Sequence, residues 1–481
     1  MKLSTKHTNQ QQIVRADFSG GLNTSSTTDS IAENQLANAV NVEIDSATGR
    51  LKTVAGTIDL LAFPNIFAAV YDEINRKLLL VTGDKKIYAA DLVEGEISDE
   101  LGELSGDLYP TSTRWEDGVL IAAGGKLQYF NGTELRTIDS PTAVNVYVRA
   151  GRVVIADDGN TLHYSGVGDE ENWTEDTNDD SSAKFLEVGY KDGGKILSMI
   201  NLSSDVLIAK DNRMLYRVSG EFPNWTLSEI SRNVEARSRL GICAIADSVF
   251  VIGRNEMQTI QTTNAYGDMK PADVSSLIKA EVQTLPANAM LRYLPPLNQI
   301  WAIAGETVLM FDLVTRSWFK RLFNSPVLDA IPVGNEVLII KSDRVSKLDE
   351  WSFSDAGEPL HWFWQARRLL SYNAYFLKRV QVSFTPMDRK LSAGKIRVGD
   401  VTVELPPMDS GSKRLRYLSS KGDPIYHNTE LAHFNPKPVF NRPAILVESR
   451  NVYRDKFLDL VGSGSAGGMT FNEIIMTVVE V

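Results

Sequence analysis

One pattern occurs seven times in this sequence of 481 residues: a short apolar run, a polar turn, and a second apolar run. Short runs of β-favouring residues that are bounded by Gly, Asp or Asn are typical of β-hairpins. The middle residues of the seven first runs are Leu79, Leu120, Val154, Leu207, Phe250, Trp301 and Leu338. Most of these hairpins also follow a further strand-like run, so the sequence predicts repeated modules of about four strands.

The spacing of the modules indicates which repeat architecture they form. Successive middle residues are 34 to 53 residues apart, and a four-stranded propeller blade takes roughly 40–50 residues. The apolar runs are nearly continuous, which is typical of strands buried on both faces, as in blades stacked around an axis. We therefore predict an all-β fold with a β-propeller of six or seven blades. The uneven spacing leaves open that one hairpin lies outside the ring.

Two short helices are predicted outside the hairpins. Ser30 and Glu33 form a capping-box pattern ahead of an apolar-periodic segment, which predicts a short N-terminal helix. The second helix is predicted over 273–285, where apolar residues share one face and Pro286 stops the helix.

The hairpin modules end near His361, although strand-like runs continue to the end of the sequence. We therefore predict three regions: an N-terminal arm with the capped helix at 1–60, the β-propeller at 61–360, and a smaller C-terminal β-domain at 361–481. The last strand-like run, 474–479, either belongs to that domain or completes the first blade.

Chemical motifs are scarce. Cys243 is the single cysteine and the five histidines lack metal-ligand spacing, so the sequence predicts no internal disulfide and no multi-thiolate zinc site. The glycine-rich segment 462–467 fits a dinucleotide-binding pattern, but too few residues follow it for the rest of that motif. We therefore predict a hairpin loop there, and no catalytic, cofactor-binding or metal-binding residues. No apolar run reaches the length of a membrane helix, so we expect no membrane insertion.

Charge is unevenly distributed along the chain. The net charge is −11, and residues 361–481 carry 17 Lys+Arg against 11 Asp+Glu, so residues 1–360 carry −11 − 6 = −17. This asymmetry indicates different partners for the two parts or a complementary contact between them, and the alternative is two solvated surfaces of different sign. The basic candidates for such contacts are Arg367, Arg368, Lys413, Arg414 and Arg416.

The N-terminal region carries a family resemblance. Residues 16–24 read ADFSGGLNT and lead into 31–41, and further short motifs include Arg239-Leu240-Gly241 before the fifth hairpin. This order resembles the tail nozzle proteins of short-tailed phages, which include the tail tubular protein B and packaged-DNA stabilisation families. The positions that carry the resemblance are Phe18, Gly20, Gly21, Leu22, Asn23 and Asn41. Gly20 and Gly21 permit backbone geometry that other residues rarely adopt.

The resemblance implies a structural virion protein that continues and closes the DNA exit channel, without enzymatic activity or cofactors. Its partners would be further copies of itself in a homohexameric ring, the portal–adaptor (head-to-tail connector) and other tail proteins. Phage DNA would pass through without sequence-specific binding. The protein would be made in the host cytoplasm and reside in the virion tail.

Two other classes of function stay open at this stage. A propeller glycosidase or polysaccharide-binding tail protein is the alternative to the nozzle, and a cellular propeller scaffold is the third class. A glycosidase needs two carboxylates that converge at the propeller mouth. The sequence contains 61 acidic residues, and their spacing does not single out such a pair.

Overall fold

The computed structural model divides the chain into two compact units. Residues 57–314 and 321–348 form one, called here the propeller unit, and residues 1–56, 315–320 and 349–481 form the other, called the terminal unit. The structure describes residues 10–202, 205–262, 269–370, 375–386, 394–399, 401–405, 417–418, 424–425, 444–448, 452–453, 457–465 and 469–480.

Five four-stranded antiparallel sheets follow one another in the propeller unit, and each consists of four successive strands. Blade 1 contains Ile66–Asp72, Lys77–Thr82, Lys86–Asp91 and Gly102–Glu103, and blade 2 contains Gly106–Trp115, Gly118–Gly124, Gln128–Phe130 and Leu135–Thr137. Blade 3 contains Asn145–Arg149, Arg152–Ala156, Thr161–Tyr164 and Lys184–Glu187, and blade 4 contains Ile196–Leu202, Asp205–Lys210, Leu215–Ser219 and Thr226–Ser231. Blade 5 contains Ile242–Ile245, Ser248–Ile252, Met257–Thr262 and Met269–Asp273.

Blade 6 begins with Met290–Leu294, which pairs with the long strand Gln299–Asp312. That strand folds back on itself near Gly305, as the hydrogen bond from the Leu313 N–H to the Asn298 carbonyl (3.1 Å) shows. Gln299–Asp312 also pairs with Ser317–Val333, whose later residues continue into blade 7.

Blade 7 closes the ring with a strand from the opposite end of the propeller sequence. Ser317–Val333 pairs with Glu336–Lys341, which pairs with Arg344–Asp349, and Gly56–Ala62 completes the sheet as its outer strand. The Ser346 hydroxyl donates a hydrogen bond to the Asp59 carboxylate (2.7 Å) across this last pairing. Because Gly56–Ala62 precedes blade 1, the closing strand comes from the N-terminal side.

Apolar contacts between the first and last blades close the ring. Leu78 and Leu80 of blade 1 share a core with Leu338 and Ile340 of blade 7, and similar cores join blades 1 to 5 in turn. The fold is therefore a seven-bladed β-propeller, which confirms the predicted class. All seven middle residues named from the sequence lie in the second strand of a blade and are at most 6% exposed. Burial of each stabilises the fold by about 1.5–3 kcal/mol.

The terminal unit combines strands from both ends of the chain in two sheets. The first contains Val42–Asp45, Arg50–Thr53, Met469–Glu480, Tyr375–Pro386 and Ala444–Glu448 in that order, with Gln10–Arg15 and Val452–Tyr453 paired beside them. The second contains Val401–Leu405, Gly394–Val398, Leu460–Ser465, His361–Ala366 and Gln35–Val40, and Gly21–Leu22 pairs in parallel with the last of these. Short pairs join Ser354–Asp355 to Glu358–Pro359, Leu369–Leu370 to Phe457–Leu458, and Tyr417–Leu418 to Pro424–Ile425. Most of the predicted N-terminal arm and the predicted C-terminal domain therefore belong to one compact unit.

Aromatic side chains form the core between these two sheets. The Phe471 ring contacts the Trp362 and Trp364 rings at centroid distances of 5.3 and 5.5 Å. Gly462 and Gly464 pair with Trp364 and Trp362 on the adjacent strand, and a Cβ atom on either glycine would overlap the opposite indole ring. The segment predicted to be a hairpin loop thus lies in the strand Leu460–Ser465 as far as residue 465, because glycine makes room for tryptophan there.

The predicted N-terminal helix is wrong. Residues Gln35–Val40 form a strand that pairs with His361–Ala366. The Ser30 hydroxyl donates to the Thr27 carbonyl (3.0 Å) instead of capping a helix. Pairing with a distant strand outweighs a local capping pattern because it buries Leu36 completely.

The helix predicted over 273–285 is confirmed in its second half. A 3₁₀ turn at Ser276–Ile278 leads into the α-helix Lys279–Thr284, and Asp273 still belongs to blade 5. A further 3₁₀ turn spans Pro295–Leu297.

The last strand, Met469–Glu480, pairs within the terminal unit and does not complete the first blade.

Candidate functional site

The first strand of each blade borders a common cavity of about 1250 Å³. One lining residue from each blade in turn is Val70, Thr111, Tyr147, Met199, Ile242, Arg292 and Ile331. The cavity is therefore the central channel of the propeller. Polar side chains such as Thr113, Asn145, Ser198 and Asn201 also line it, so it can hold polar ligands or water.

An ion-paired network lies in this channel and connects blades 2, 6 and 7. Arg292 donates from Nε and Nη2 to the two carboxylate oxygens of Asp329, at 2.7 and 2.9 Å. The Tyr109 hydroxyl donates to Asp329 Oδ2 at 2.7 Å, and the Ala330 N–H donates to Oδ1 at 2.8 Å. Asp329 is only 1% exposed, so its charge is stabilised by these four donors.

Arg239 extends from the segment before blade 5 to blades 2 and 3. It donates from Nη1 to the Val144 carbonyl (2.8 Å) and to Asn145 Oδ1 (3.4 Å), and from Nη2 to the Tyr109 carbonyl. Because blades 2 and 5 are three places apart in a ring of seven, this side chain spans the channel.

The two arginines experience opposite electrostatic environments. Burial disfavours the charge of Arg292, but the Asp329 carboxylate outweighs burial and raises the pKa of Arg292 above its ordinary value. Burial, assisted by the positive charge of Arg292, lowers the pKa of Arg239 to about 10. Burial also raises the pKa of Tyr109, and Asp329 adds to that shift. Tyr109 therefore stays protonated and continues to donate.

Acidic side chains also line the channel. Among the described lining residues they are Glu73, Asp329 and Glu336. Asp329 is held by the donors above, and Glu336 forms an ion pair with Lys347 at 2.8 Å. A glycosidase needs one protonated acid and one free carboxylate, and two of these three acids, Asp329 and Glu336, are held in ion pairs. Burial raises the pKa of Cys243 to about 12, which keeps its thiol protonated.

The family-motif residues lie together in the terminal unit. Phe18 and Leu22 are each 1% exposed, and the Phe18 ring contacts Trp364 at a centroid distance of 5.8 Å. Gly21 has φ +61°, and its N–H donates to the Phe18 carbonyl at 3.0 Å. A Cβ atom on Gly20 would lie 2.7 Å from Asn34 Oδ1. These residues form a tight buried turn.

The two motif asparagines connect this turn to neighbouring strands. Asn23 donates from Nδ2 to Gln35 Oε1 at 2.8 Å, and its N–H donates to the Leu36 carbonyl at 2.8 Å. Asn41 has φ +54° and donates from Nδ2 to the His361 carbonyl at 2.7 Å. Both are at most 4% exposed, so they act as buried polar ties between strands.

Two of the basic contact candidates lie beside the loop that follows the motif. Arg367 donates to the Asp29 carbonyl at 3.1 Å, and Arg368 forms an ion pair with Asp459 at 2.7 Å. Lys413, Arg414 and Arg416 lie outside the described residues.

Sequence reasoning missed most of the channel network. Tyr109, Arg292 and Asp329 carry no motif, and only Arg239 stood in a short motif of the family resemblance. Within the described part of the chain, no group of three or more His, Cys, Asp and Glu side chains could hold a metal ion. No helix among the same residues is long and apolar enough to span a membrane.

The closed ring, its seven blades and the polar channel define a β-propeller protein. No protein-family model and no curated protein sequence matches the chain. It is similar in structure to the Cps50 (Swd1) β-propeller domain of Myceliophteria thermophila, at 8% identity and a TM-score of 0.42, over 62% of this chain and 98% of that one. It is also similar to BamB from Moraxella catarrhalis, at 12% identity and a TM-score of 0.40, over 64% of this chain and 95% of that one.

Proposed function

We propose that this chain is a structural virion protein of the tail-nozzle kind, which assembles into a ring that continues and closes a DNA exit channel. The observation that carries the proposal is the motif 16–24 together with its structural role. Phe18, Leu22 and Gly21 join strands from both ends of the chain in one unit, as expected for a motif that serves folding and assembly rather than chemistry.

The channel of the propeller supports a non-enzymatic role. Its acidic side chains Asp329 and Glu336 are used in ion pairs, and its arginines bind protein acceptors on several blades. Such contacts hold the blades together, which suits a subunit that must withstand mechanical load. In this proposal the partners are further copies of the chain in a homohexamer, the portal–adaptor and other tail proteins, and the protein resides in the virion tail.

The net charge of the chain fits the passage of DNA. A ring of six copies would carry 6 × −11 = −66. Affinity for phosphate comes mainly from Lys and Arg that displace counterions, so an acidic ring would let DNA slide without being held.

A polysaccharide-binding tail protein is the second candidate. Phe222, Trp225 and Tyr164 line a cavity of about 290 Å³ in the propeller unit, and the Tyr164 and Trp225 rings lie 4.4 Å apart. Aromatic rings beside polar groups are suited to bind the apolar face of a sugar.

Electron microscopy and native mass spectrometry of the purified full chain test the proposal. We expect closed rings of six copies, and tail particles in which the chain surrounds the DNA channel. A chain that stays monomeric at concentrations of tens of micromolar and is absent from virions would refute the nozzle. Retention of the chain on a polysaccharide column, lost in Trp225→Ala, would favour the second candidate instead.

A further inference from the structure

Arg239 lines the channel and has no carboxylate partner among the described residues. Its three acceptors are the Val144 and Tyr109 carbonyls and Asn145 Oδ1, and all three are uncharged. Its neighbour Arg292, by contrast, is fully paired with Asp329. Within the described part of the chain, the positive charge of Arg239 is therefore solvated by dipoles and not by a carboxylate.

The hydrogen-bond capacity of Arg239 is also incomplete. A guanidinium has five N–H groups, and the contacts above use two on Nη1 and one on Nη2. The Nε–H and one Nη2–H have no acceptor in the described part of the chain. Nε is not among the buried atoms that lack a partner, so it keeps accessible surface, and the Arg239 side chain lines the cavity.

Nε and Nη2 are the nitrogen atoms with which a guanidinium binds carboxylates and phosphates in a bidentate manner. Arg292 uses this same pair of atoms to bind Asp329. Arg239 retains free N–H groups on these two nitrogen atoms, although its Nη2 also donates to the Tyr109 carbonyl, and it lines a cavity of about 1250 Å³.

We propose that the central channel of the propeller binds a small oxyanion, of the phosphate or sulfate type, on the Nε–H and Nη2–H groups of Arg239. The lining side chains Asn145, Ser198 and Asn201 carry further N–H or O–H donors for such an ion. The lowered pKa of Arg239 fits this assignment, since burial and Arg292 disfavour its charge and a bound anion would reverse that cost.

The anion would connect several blades. Arg239 comes from the segment before blade 5, and the polar lining residues Asn145, Ser198 and Asn201 come from blades 3 and 4. A ligand that binds the folded ring and not the unfolded chain stabilises the ring by mass action. This site is independent of the proposed role in virions.

Phosphate binding to the full-length protein tests the site directly. We expect ³¹P NMR lines of inorganic phosphate to broaden with the protein, and the melting temperature to rise with phosphate or sulfate at constant ionic strength set by chloride. Arg239→Gln should weaken phosphate binding at least about tenfold, because a hydrogen bond to a charged group contributes more than the 1.4 kcal/mol of one decade.

Arg149→Gln is the matched control. Arg149 also donates only to backbone carbonyls, those of Val218 and Gly220, and does not line the central channel. Its variant should bind phosphate as the unmodified protein does. Equal loss in both variants would refute a specific site.

Further outcomes decide the proposal if Arg239→Gln does not fold. Arg239→Lys keeps the charge but lacks the paired N–H groups, so phosphate binding should still weaken. Unchanged binding in Arg239→Lys, no broadening with the unmodified protein, or a response to acetate with none to phosphate or sulfate would each overturn the assignment.

Discussion

Gly21 packs so closely against Ser317 that no side chain fits between them. A Cβ atom on Gly21 would lie 2.6 Å from the Ser317 Cβ and 2.9 Å from the Trp318 carbonyl oxygen, and the residue has φ +61°. Both the steric overlap and the backbone conformation therefore demand glycine at this position.

Gly21→Val should destabilise the protein by about 2–5 kcal/mol, because left-handed backbone strain of about 1–2 kcal/mol adds to an overlap of about 1–3 kcal/mol. The measurement is the urea concentration at which the terminal unit unfolds. Gly357→Val is the matched control, since Gly357 has φ +81° but a Cβ atom on it would meet no neighbouring atom within 4 Å. It should show the strain without the overlap, and equal losses in both variants would contradict this account.

Asp329→Asn should destabilise the propeller by about 3 kcal/mol, because it leaves Arg292 without its counter-ion. The value lies at the low end of the range for broken buried pairs, since the Arg292 side chain is 26% exposed. Tyr109→Phe removes a single hydrogen bond to the same carboxylate and should cost about 1.5 kcal/mol. Urea unfolding of both variants measures the two losses of unfolding free energy. A larger loss of unfolding free energy in Tyr109→Phe than in Asp329→Asn would be inconsistent with the network.

Gly462→Ala should destabilise the terminal unit by about 1–3 kcal/mol, because the added methyl group overlaps the indole of Trp364. Trp364→Phe should cost about as much on its own through lost volume. Combining the two should cost less than the sum of the single changes, because the smaller ring leaves room for the methyl group. Simple additivity in a double-mutant cycle would show that the two residues do not share this space.

Stability should decrease in acid through Asp192, which accepts hydrogen bonds from Lys210 at 2.6 Å and from the Tyr216 hydroxyl at 2.9 Å. Burial opposes the charge of Asp192, but these donors outweigh burial and lower its pKa below the ordinary value of 3.8. Since the unfolded chain takes up this proton first, the stabilisation is fully present above about pH 5. It is lost as the pH falls through the pKa of the folded state.

Asp192→Asn should therefore flatten the decrease in unfolding free energy between about pH 5 and 3. The Lys210 side chain is fully buried, so the variant should also be less stable at pH 7. Guanidinium unfolding at several pH values checks this, and parallel pH profiles for the two proteins would argue against a role of Asp192.

The blades could be predicted from the sequence because each is a local unit. Leu79 and Leu338 are buried in hairpins whose strands are a few residues apart, so their apolar pattern is visible in a short window. Pairing between strands that are distant in the sequence was harder to predict. The strand Gln35–Val40 carries a helix-like local pattern, and its partner, His361–Ala366, lies more than 300 residues away, outside any local window.

The channel network could not be predicted from the sequence, for a different physical reason. Tyr109, Arg292 and Asp329 meet only because the ring brings three blades together, and single polar residues on strands carry no periodic signal. The burial of Phe18 and Leu22 could be anticipated from the apolar residues that flank two glycines, whereas the contact between Phe18 and Trp364 could not.

The closing strand Gly56–Ala62 has a consequence for synthesis of the chain. It leaves the ribosome before blade 1, and its partner Arg344–Asp349 follows about 280 residues later. At roughly 5–20 residues per second, the strand waits for about 14–56 s with its edge unpaired. Until Arg344–Asp349 is synthesised, Gly56–Ala62 lacks its partner strand, and another copy of the chain can offer its own Arg344–Asp349 to it. Slower translation or crowded polysomes should therefore favour strand exchange between nascent chains.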